Sequence, residues 1–415
     1  MTTMRILLLT HYFPPEGNAP ASRCYEMAKR WARWGHEVEV VTCVPNYPDG
    51  IVYDGYRSRF RSQVEQMDGI RVRRIWTYLA ANKGTGKRAL NYASYMASAT
   101  WSGLWRRRPD VMIASSPQFF CGWSGVLLRK LRRTPFLLEI RDIWPESIVA
   151  VGAMQPGRTV RALEAMERTM YRAADHIVTV GEGYREKLLQ RQVPAEKVDV
   201  IYNGVDRELF APREPDEALR QQYGLGGYFV CSYLGTIGLA CALDVVLRAA
   251  DALKRRGDDR YRFLLVGDGA HRQQLQSRAE QQGLDNIIFA GRQPKKLMPA
   301  FLSITDAALV HLRKTDLFKT VMPSKVFEAA AMKRPIILGV EGHAAEIVQR
   351  AGAGLCIEPE NDEQLLDAID TLRSRPELAA DLGRSGHDYV TTHFDRDRLA
   401  ADYLEMIQGV AAGRG

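Results

Sequence analysis

The chain has 415 residues, of which 46% are hydrophobic and 26% charged. That length suits two domains, and that composition excludes a disordered or fibrous chain. The net charge of +8 is uneven: residues 1–200 carry 30 Lys/Arg against 19 Asp/Glu, which is +11 and leaves −3 for the rest. A basic first half suits an anionic partner such as a lipid surface or a phosphorylated substrate. Nucleic acid is not expected, because the basic residues form no recognised binding motif. No apolar stretch approaches the ~20 residues of a spanning helix. The run Ile6 to Leu9 is too short for a signal-peptide core and reads as a first strand, so a cytoplasmic protein is expected.

Arg5 to Thr10 reads as a strand, followed by a loop rich in Pro and Gly from His11 to Asn18. Tyr25, Met27, Ala28, Trp31 and Ala32 then recur at helical spacing, and Gly35 fits a C-terminal cap. Glu37 to Thr42 is a second strand, so the opening is a βαβ unit and implies a parallel sheet. Val111 to Ala114, Phe136 to Ile140, His176 to Val180 and Val198 to Tyr202 extend the series. Lys87 to Arg108 reads as a helix carrying Leu90, Tyr92, Tyr95, Met96, Trp101, Leu104 and Trp105, and it ends in three arginines. A second basic cluster follows at Arg129 to Arg133. Such a segment is either a helix packed on the sheet with a solvated basic end or an anchor at an anionic bilayer.

The alternation restarts after residues 205–225. Strands are expected at Tyr228 to Leu234, Arg262 to Val266, Asn286 to Ala290, Ala307 to His311 and Pro335 to Gly339, with helices at Asp244 to Arg255 and Lys325 to Met332. Open parallel sheets bind ligands at the carboxyl ends of their strands. Gly17, Gly235, Gly267, Gly269 and Gly291 all fall at such ends.

Met322-Pro323-Ser324-Lys325-Val326-Phe327-Glu328 carries the most chemistry. Ser324 suits the N-cap of the following helix, whose free N–H groups favour an anion. Lys325 is unfavourable in a first turn unless an anion lies there, and a diphosphate would resolve the conflict. Glu328, one turn on, could accept both hydroxyls of a ribose. The same residues also fit a plain cap, a solvated lysine and a helix-dipole acid. Gly267-Asp268-Gly269 by itself fits a plain turn. Asp395-Arg396-Asp397 resembles a D-x-D metal motif but reads better as acids at a helix start. The six cysteines and eight histidines form no metal-ligand spacing. No metal and no cofactor are expected.

The segment around Glu328 resembles the donor motif of retaining glycosyltransferases of family 4. The two glutamates of that motif fall here on Thr320 and Glu328, so only the second, implying a ribose contact, is kept. His11 to Ser22, Asn203-Gly204-Val205-Asp206 and Tyr233-Leu234-Gly235-Thr236-Ile237-Gly238 resemble further family segments. The resemblance spans about residues 4–405. The family's basic residue and Lys-Gly correspond here to Leu239 to Asp244, which has no base, and Lys325 is the candidate substitute. Glu139 to Ser147 and Pro323-Ser324-Lys325 carry a narrower likeness to bacterial O-antigen, capsule and exopolysaccharide transferases of the L-fucosamine type.

The resemblance implies an α/β GT-B fold, in which two Rossmann-like doubly wound parallel-sheet domains face each other across a cleft. Residues 1–205 would bind the acceptor and 206–390 a nucleotide-sugar donor. A C-terminal helix within 391–415 would pack back toward the first domain. The implied donor contacts are Gly17, Gly235, Thr236, Gly267, Asp268, Arg292, Ser324, Lys325 and Glu328. The acceptor contacts would be His11, Arg141, Trp144 and Glu146, with Asp142, Lys325 and Glu328 as catalytic candidates. The expected activity is transfer of a sugar, a 6-deoxy or N-acetylamino sugar among the candidates, from a UDP-linked donor to a lipid-linked or saccharide acceptor. Peripheral contact with the inner face of the cytoplasmic membrane would run through the first domain. The alternatives are a sugar-nucleotide epimerase on the same fold and a non-catalytic scaffold.

Overall fold

The structure, a computed structural model, describes residues 3–47, 49–80, 85–150, 152 and 154–413. It divides into two compact units: the described residues up to Tyr202 together with those from Asp397 onward, and Asn203–Arg396.

The N-terminal unit contains strands β1 (Arg5–Leu9), β2 (Glu37–Cys43), β3 (Gln63–Met67), β4 (Ile70–Ile75), β5 (Val111–Ser115), β6 (Phe136–Ile140), β7 (His176–Thr179) and β8 (Val198–Val200). They form one sheet in the order β3-β4-β2-β1-β5-β6-β7-β8. Its helices are α1 (Ala19–Arg33), α2 (Thr85–Leu104), α3 (Phe119–Arg132), α4 (Glu146–Ala150), α5 (Arg158–Ala173) and α6 (Glu182–Gln190). Every strand pair is parallel except β3 with β4, a hairpin turning at Asp68 and Gly69, which have φ of 49° and 82°. Sequence periodicity did not show this hairpin, although an Asp-Gly pair with both residues at positive φ is a strong hairpin signal.

Alternate strand residues point to opposite faces and build two apolar layers. On one face Ile6, Leu8, Val38, Val40, Ile113 and Leu137 pack with Met27, Ala28 and Trp31 of α1. The last helix of the chain joins the same layer through Tyr403, Leu404 and Ile407. On the other face the Tyr95 hydroxyl of α2 reaches the Val41 carbonyl at 3.0 Å, and the Cys121 thiol of α3 lies 3.2 Å from the Leu9 carbonyl. Apolar side chains are also exposed here: Leu90 and Trp101 of α2, and Trp105 just beyond its end, are 52%, 65% and 73% exposed.

The second unit begins with the short helix α7 (Glu217–Gln222). Its strands are β9 (Phe229–Leu234), β10 (Tyr261–Val266), β11 (Ile287–Gly291), β12 (Ala307–His311), β13 (Ile336–Gly339) and β14 (Gly354–Cys356). All pair in parallel, in the order β11-β10-β9-β12-β13-β14. Between and after the strands run α8 (Asp244–Arg255), α9 (Arg272–Gln281), α10 (Met298–Ser303), α11 (Ser324–Ala331), α12 (His343–Arg350), α13 (Asp362–Ser374) and α14 (Pro376–His393). The final helix, α15 (Arg396–Ala411), lies almost wholly in the N-terminal unit, where the Trp31 indole N–H donates to the Ala400 carbonyl at 3.1 Å. No described helix is long and apolar enough to cross a membrane.

Candidate active site

In the second sheet, β9 and β12 are neighbours, while β10 and β11 extend one way and β13 and β14 the other. That reversal leaves a crevice at the carboxyl ends of β9 and β12, the favoured ligand position of open α/β sheets. The loops after β9, β10 and β11 are sewn together there. The Gly235 N–H donates to the Val266 carbonyl at 2.8 Å, Ile237 to Asp268 at 2.9 Å, and Gly267 to Gly291 at 2.8 Å.

Two glycines make this approach possible. Gly267 has φ of 145°, and a Cβ there would lie 1.9 Å from the Gly235 carbonyl oxygen. Gly235 has φ of 134°, and a Cβ there would lie 2.4 Å from Lys325 Cε. The lysine stem therefore crosses bare backbone at the end of β9. Gly17 is different: it is exposed, and a Cβ would meet nothing within 4 Å, so the fold itself does not require a glycine at that position.

Lys325 and Glu328 share one face of α11, three residues apart. The Lys325 ammonium donates to the Tyr233 hydroxyl at 2.5 Å and lies 3.9 Å from that ring's centroid. The Tyr233 hydroxyl in turn donates to the Thr236 carbonyl at 2.7 Å. Burial pulls the Lys325 pKa below the ordinary lysine range, and among the described residues no carboxylate lies within ion-pair distance. Burial pushes the Glu328 carboxyl up, against the opposing pull of Lys295, Arg396 and Lys325. The Glu328 carboxylate makes no hydrogen bond among the described residues. The helix thus presents a lone cation and a lone carboxylate at the switch point, each half-buried.

Ser324 departs from expectation. Pro323, extended at φ −67° and ψ 127°, takes the N-cap, and no side chain caps the helix. Ser324 is therefore the first helical residue, and its hydroxyl accepts from the Asn203 amide at 3.0 Å. Asp268 is exposed, accepts from the Gly269 N–H at 2.9 Å and lies 3.8 Å from Arg272. Arg292 is exposed after β11. At the non-acidic motif position, the Thr320 hydroxyl turns back onto the Leu317 carbonyl at 2.6 Å.

In the N-terminal sheet the strand order reverses between β1 and β5. His11 follows β1 and is buried among Tyr12, Tyr92 and Tyr95, with ring centroids 5.0, 5.5 and 5.1 Å away. Burial holds its pKa at about 3, so the imidazole is neutral at pH 7. Arg141 and Asp142 follow β6. The Asp142 carboxylate accepts from the Ser147 hydroxyl at 2.8 Å, and burial raises its pKa. Trp144 packs on Phe119 with centroids 4.5 Å apart. Both Glu146 oxygens are engaged, by Lys187 at 2.9 Å and Arg191 at 2.7 Å, which ties α4 to α6.

Sequence reasoning missed the buried group beneath these residues. Glu139 in β6 binds the Arg23 Nε at 2.9 Å and accepts from the Ser115 hydroxyl at 2.6 Å. The signal was present: Glu139 is the one charged residue in the otherwise apolar stretch Phe136-Leu137-Leu138-Glu139-Ile140. Asp395 and Asp397 are held in ion pairs, with Arg207 at 3.4 Å and with Arg30 respectively. Among the described residues, no group of three or more His, Cys, Asp or Glu is placed to hold a metal ion.

Comparison with known proteins agrees with this architecture. Residues 18–204 match the family described as "Glycosyl transferase 4-like domain", and residues 215–388 match "Glycosyl transferases group 1". The putative colanic acid biosynthesis glycosyl transferase WcaI of Escherichia coli K12 is 28% identical over 98% of this chain and 100% of its own length. A GDP-mannose-dependent alpha-mannosyltransferase of Mycobacterium tuberculosis is 26% identical over 93% of this chain and 94% of its own. Anabaena HepE, solved in complex with UDP-glucose, superposes with a TM-score of 0.71 at 18% identity, covering 98% of this chain and 100% of HepE. Two α/β sheets, parallel but for one edge hairpin and each with a reversal of strand order, and two matched transferase domains in sequence make this chain a glycosyltransferase of the GT-B fold.

Proposed function

We propose that the chain transfers a sugar from a UDP-linked donor to a lipid-linked or saccharide acceptor in the synthesis of a surface polysaccharide, with retention of anomeric configuration and without a metal. The observation that carries the donor reading is the pairing of Lys325 with Glu328 on α11 beside the Gly235 and Gly267 loops. An uncompensated cation beside bare backbone suits a diphosphate, and an unpartnered carboxylate one turn away suits the two ribose hydroxyls. The colanic-acid relative supports the polysaccharide context, and the UDP-glucose neighbour supports the donor class.

In this reading the Lys325 ammonium and the α11 N-terminus stabilise charge developing on the departing diphosphate. The acceptor hydroxyl attacks from the face the diphosphate leaves, and its proton passes to the departing phosphate oxygen. No protein nucleophile is needed. Asp142 is the acidic group offered on the acceptor side, together with His11, Arg141 and Trp144. The outer face of α2 and the turn after it, with exposed Leu90, Trp101 and Trp105 and five Lys/Arg but no acid between residues 87 and 108, are read as the contact with an anionic bilayer.

The test is thermal stabilisation by UDP, GDP, TDP, ADP and CMP, with and without magnesium. UDP should stabilise the chain without metal, and Glu328→Ala should abolish the effect. Selective stabilisation by GDP would overturn the UDP assignment. No response from a well-folded sample to any nucleotide would overturn the donor site.

A further inference from the structure

Arg141 stands at the carboxyl end of β6 with its backbone N–H donating to the Ser116 hydroxyl at 2.7 Å. Its side chain makes no hydrogen bond or ion pair among the described residues, and its Nε and Nη1 are buried without a partner. Such an orphan is costly, because a guanidinium offers five donors and cannot shed its charge. The residue is nevertheless only half-buried, so one side remains open.

Arg23 and Arg141 both act on the Glu139 carboxylate, but Arg23 already holds it at 2.9 Å. The other groups acting on Arg141 are the Cys24 thiol and the Tyr184 hydroxyl, and burial pushes both of their pKa values up, which keeps them neutral. Asp142, the next residue, is bonded to Ser147 instead. Arg141 therefore shares its nearest carboxylate with Arg23 and has no acid bonded to its own guanidinium at the ligand edge of the sheet. Arg141 supports the buried Glu139 charge from a distance but leaves its own Nε and Nη1 unsatisfied, and an oxyanion would satisfy them through the flat, two-pronged guanidinium edge.

We propose that Arg141 anchors a phosphate carried by the acceptor, seated at the carboxyl ends of β5 and β6 in the N-terminal unit. The donor's diphosphate has its own cation in Lys325 and its own backbone donors in the second unit, so Arg141 serves a different anion. This inference rests on reading the N-terminal unit as the acceptor-binding one, and it is tested without donor or turnover.

The experiment uses the full chain carrying Lys325→Met, which removes the donor-side cation, and inorganic pyrophosphate as the probe. Stabilisation by pyrophosphate should persist in that background and weaken at least tenfold when Arg141→Gln is added. Arg141→Lys should fall between the two, because it keeps the charge and loses the fork. Without anion, Arg141→Gln should melt no lower than the parent, since it removes an unpaired buried charge, whereas a purely structural arginine would lower the melting point. Unchanged pyrophosphate binding in the Arg141 variants would overturn the proposal, as would loss of all binding on Lys325→Met alone. Stronger stabilisation by malonate than by pyrophosphate would overturn the phosphate assignment in favour of a carboxylate. Should Arg141→Gln fail to fold, full-strength pyrophosphate binding by Arg141→Lys would overturn it equally. None of these outcomes depends on nucleotide binding, so the donor reading can fail on its own.

Discussion

Replacing Lys325 with Met separates a phosphate-binding cation from a structural lysine. Its ammonium touches the Tyr233 hydroxyl and ring, and no carboxylate lies within ion-pair distance among the described residues. Met keeps most of the stem that crosses Gly235 and loses the ammonium with its contacts to Tyr233, but it also removes a desolvated charge, so folding stability should change by only about 1 kcal/mol. A unit charge about 4 Å from a phosphate at an effective dielectric of about 20 contributes about 4 kcal/mol, and the partial exposure of Lys325 brings this toward about 2. That range is a loss of about 30- to 1,000-fold in UDP affinity. Calorimetry with UDP and with uridine reads it directly, because uridine lacks the phosphates and should bind both proteins alike. Burial holds the lysine below its ordinary value of 10.5, so UDP affinity of the native chain should begin to fall below pH 10.5 as the ammonium is lost. Equal losses for UDP and uridine, or no loss for either, would refute the reasoning.

Gly267→Ala places a methyl 1.9 Å from the Gly235 carbonyl and should cost several kcal/mol, read as a lowered denaturation midpoint together with lost UDP binding. Ala242, by contrast, already sits in the left-handed region at φ 46°, so Ala242→Gly should raise stability by about 1 kcal/mol in a denaturant titration. His11 is held near a pKa of about 3, against 6.5 when unfolded. Above pH 6.5 both states are neutral and the group adds no pH dependence. Below it only the unfolded chain takes the proton, so stability should fall by about 1.4 kcal/mol per pH unit down to about pH 3. His11→Phe should flatten that slope by this amount; an unchanged slope would show that the imidazole titrates freely. For α2, vesicles rich in phosphatidylglycerol should retain the native chain and lose it roughly tenfold with Trp101→Ser and Trp105→Ser together, while phosphatidylcholine vesicles should retain neither.

Much of the fold was legible because buried parallel strands read as short runs rich in Ile, Leu and Val. The runs expected at Arg5 to Thr10, Phe136 to Ile140, Arg262 to Val266 and Ala307 to His311 each became a strand, with an end moved by one residue at Arg5–Leu9 and Tyr261–Val266. The edge hairpin β3–β4 was hidden because its apolar residues are interrupted by Arg, Glu and Gln, and Arg73 and Arg74 are buried in ion pairs with Glu39 and Glu65. Of the candidate site, Lys325 and Glu328 could be singled out from local helix chemistry. The crossing of Lys325 over Gly235 could not, since it joins residues 90 positions apart through tertiary packing. Ser324 was misplaced by one residue because serine and proline both suit the entrance to a helix, and the backbone alone decides which one caps it. The unpaired state of Arg141 was likewise invisible, because tertiary packing decides that the neighbouring Asp142 carboxylate meets Ser147 instead.

The placement of α15 bears on the order in which the molecule can be made. Trp31 hydrogen-bonds Ala400 and packs against Tyr403 with ring centroids 5.2 Å apart, so an apolar layer begun near the amino terminus is finished near the end of the chain. During synthesis the α1 face must wait, uncovered, while more than three hundred intervening residues emerge. Asn203–Arg396 has no such debt, since its sheet and helices are contiguous in sequence. The middle of the chain can therefore reach its final form on the ribosome before the beginning does, the reverse of the usual vectorial order. The interval exposes the Trp31 layer to chaperones or to other nascent chains.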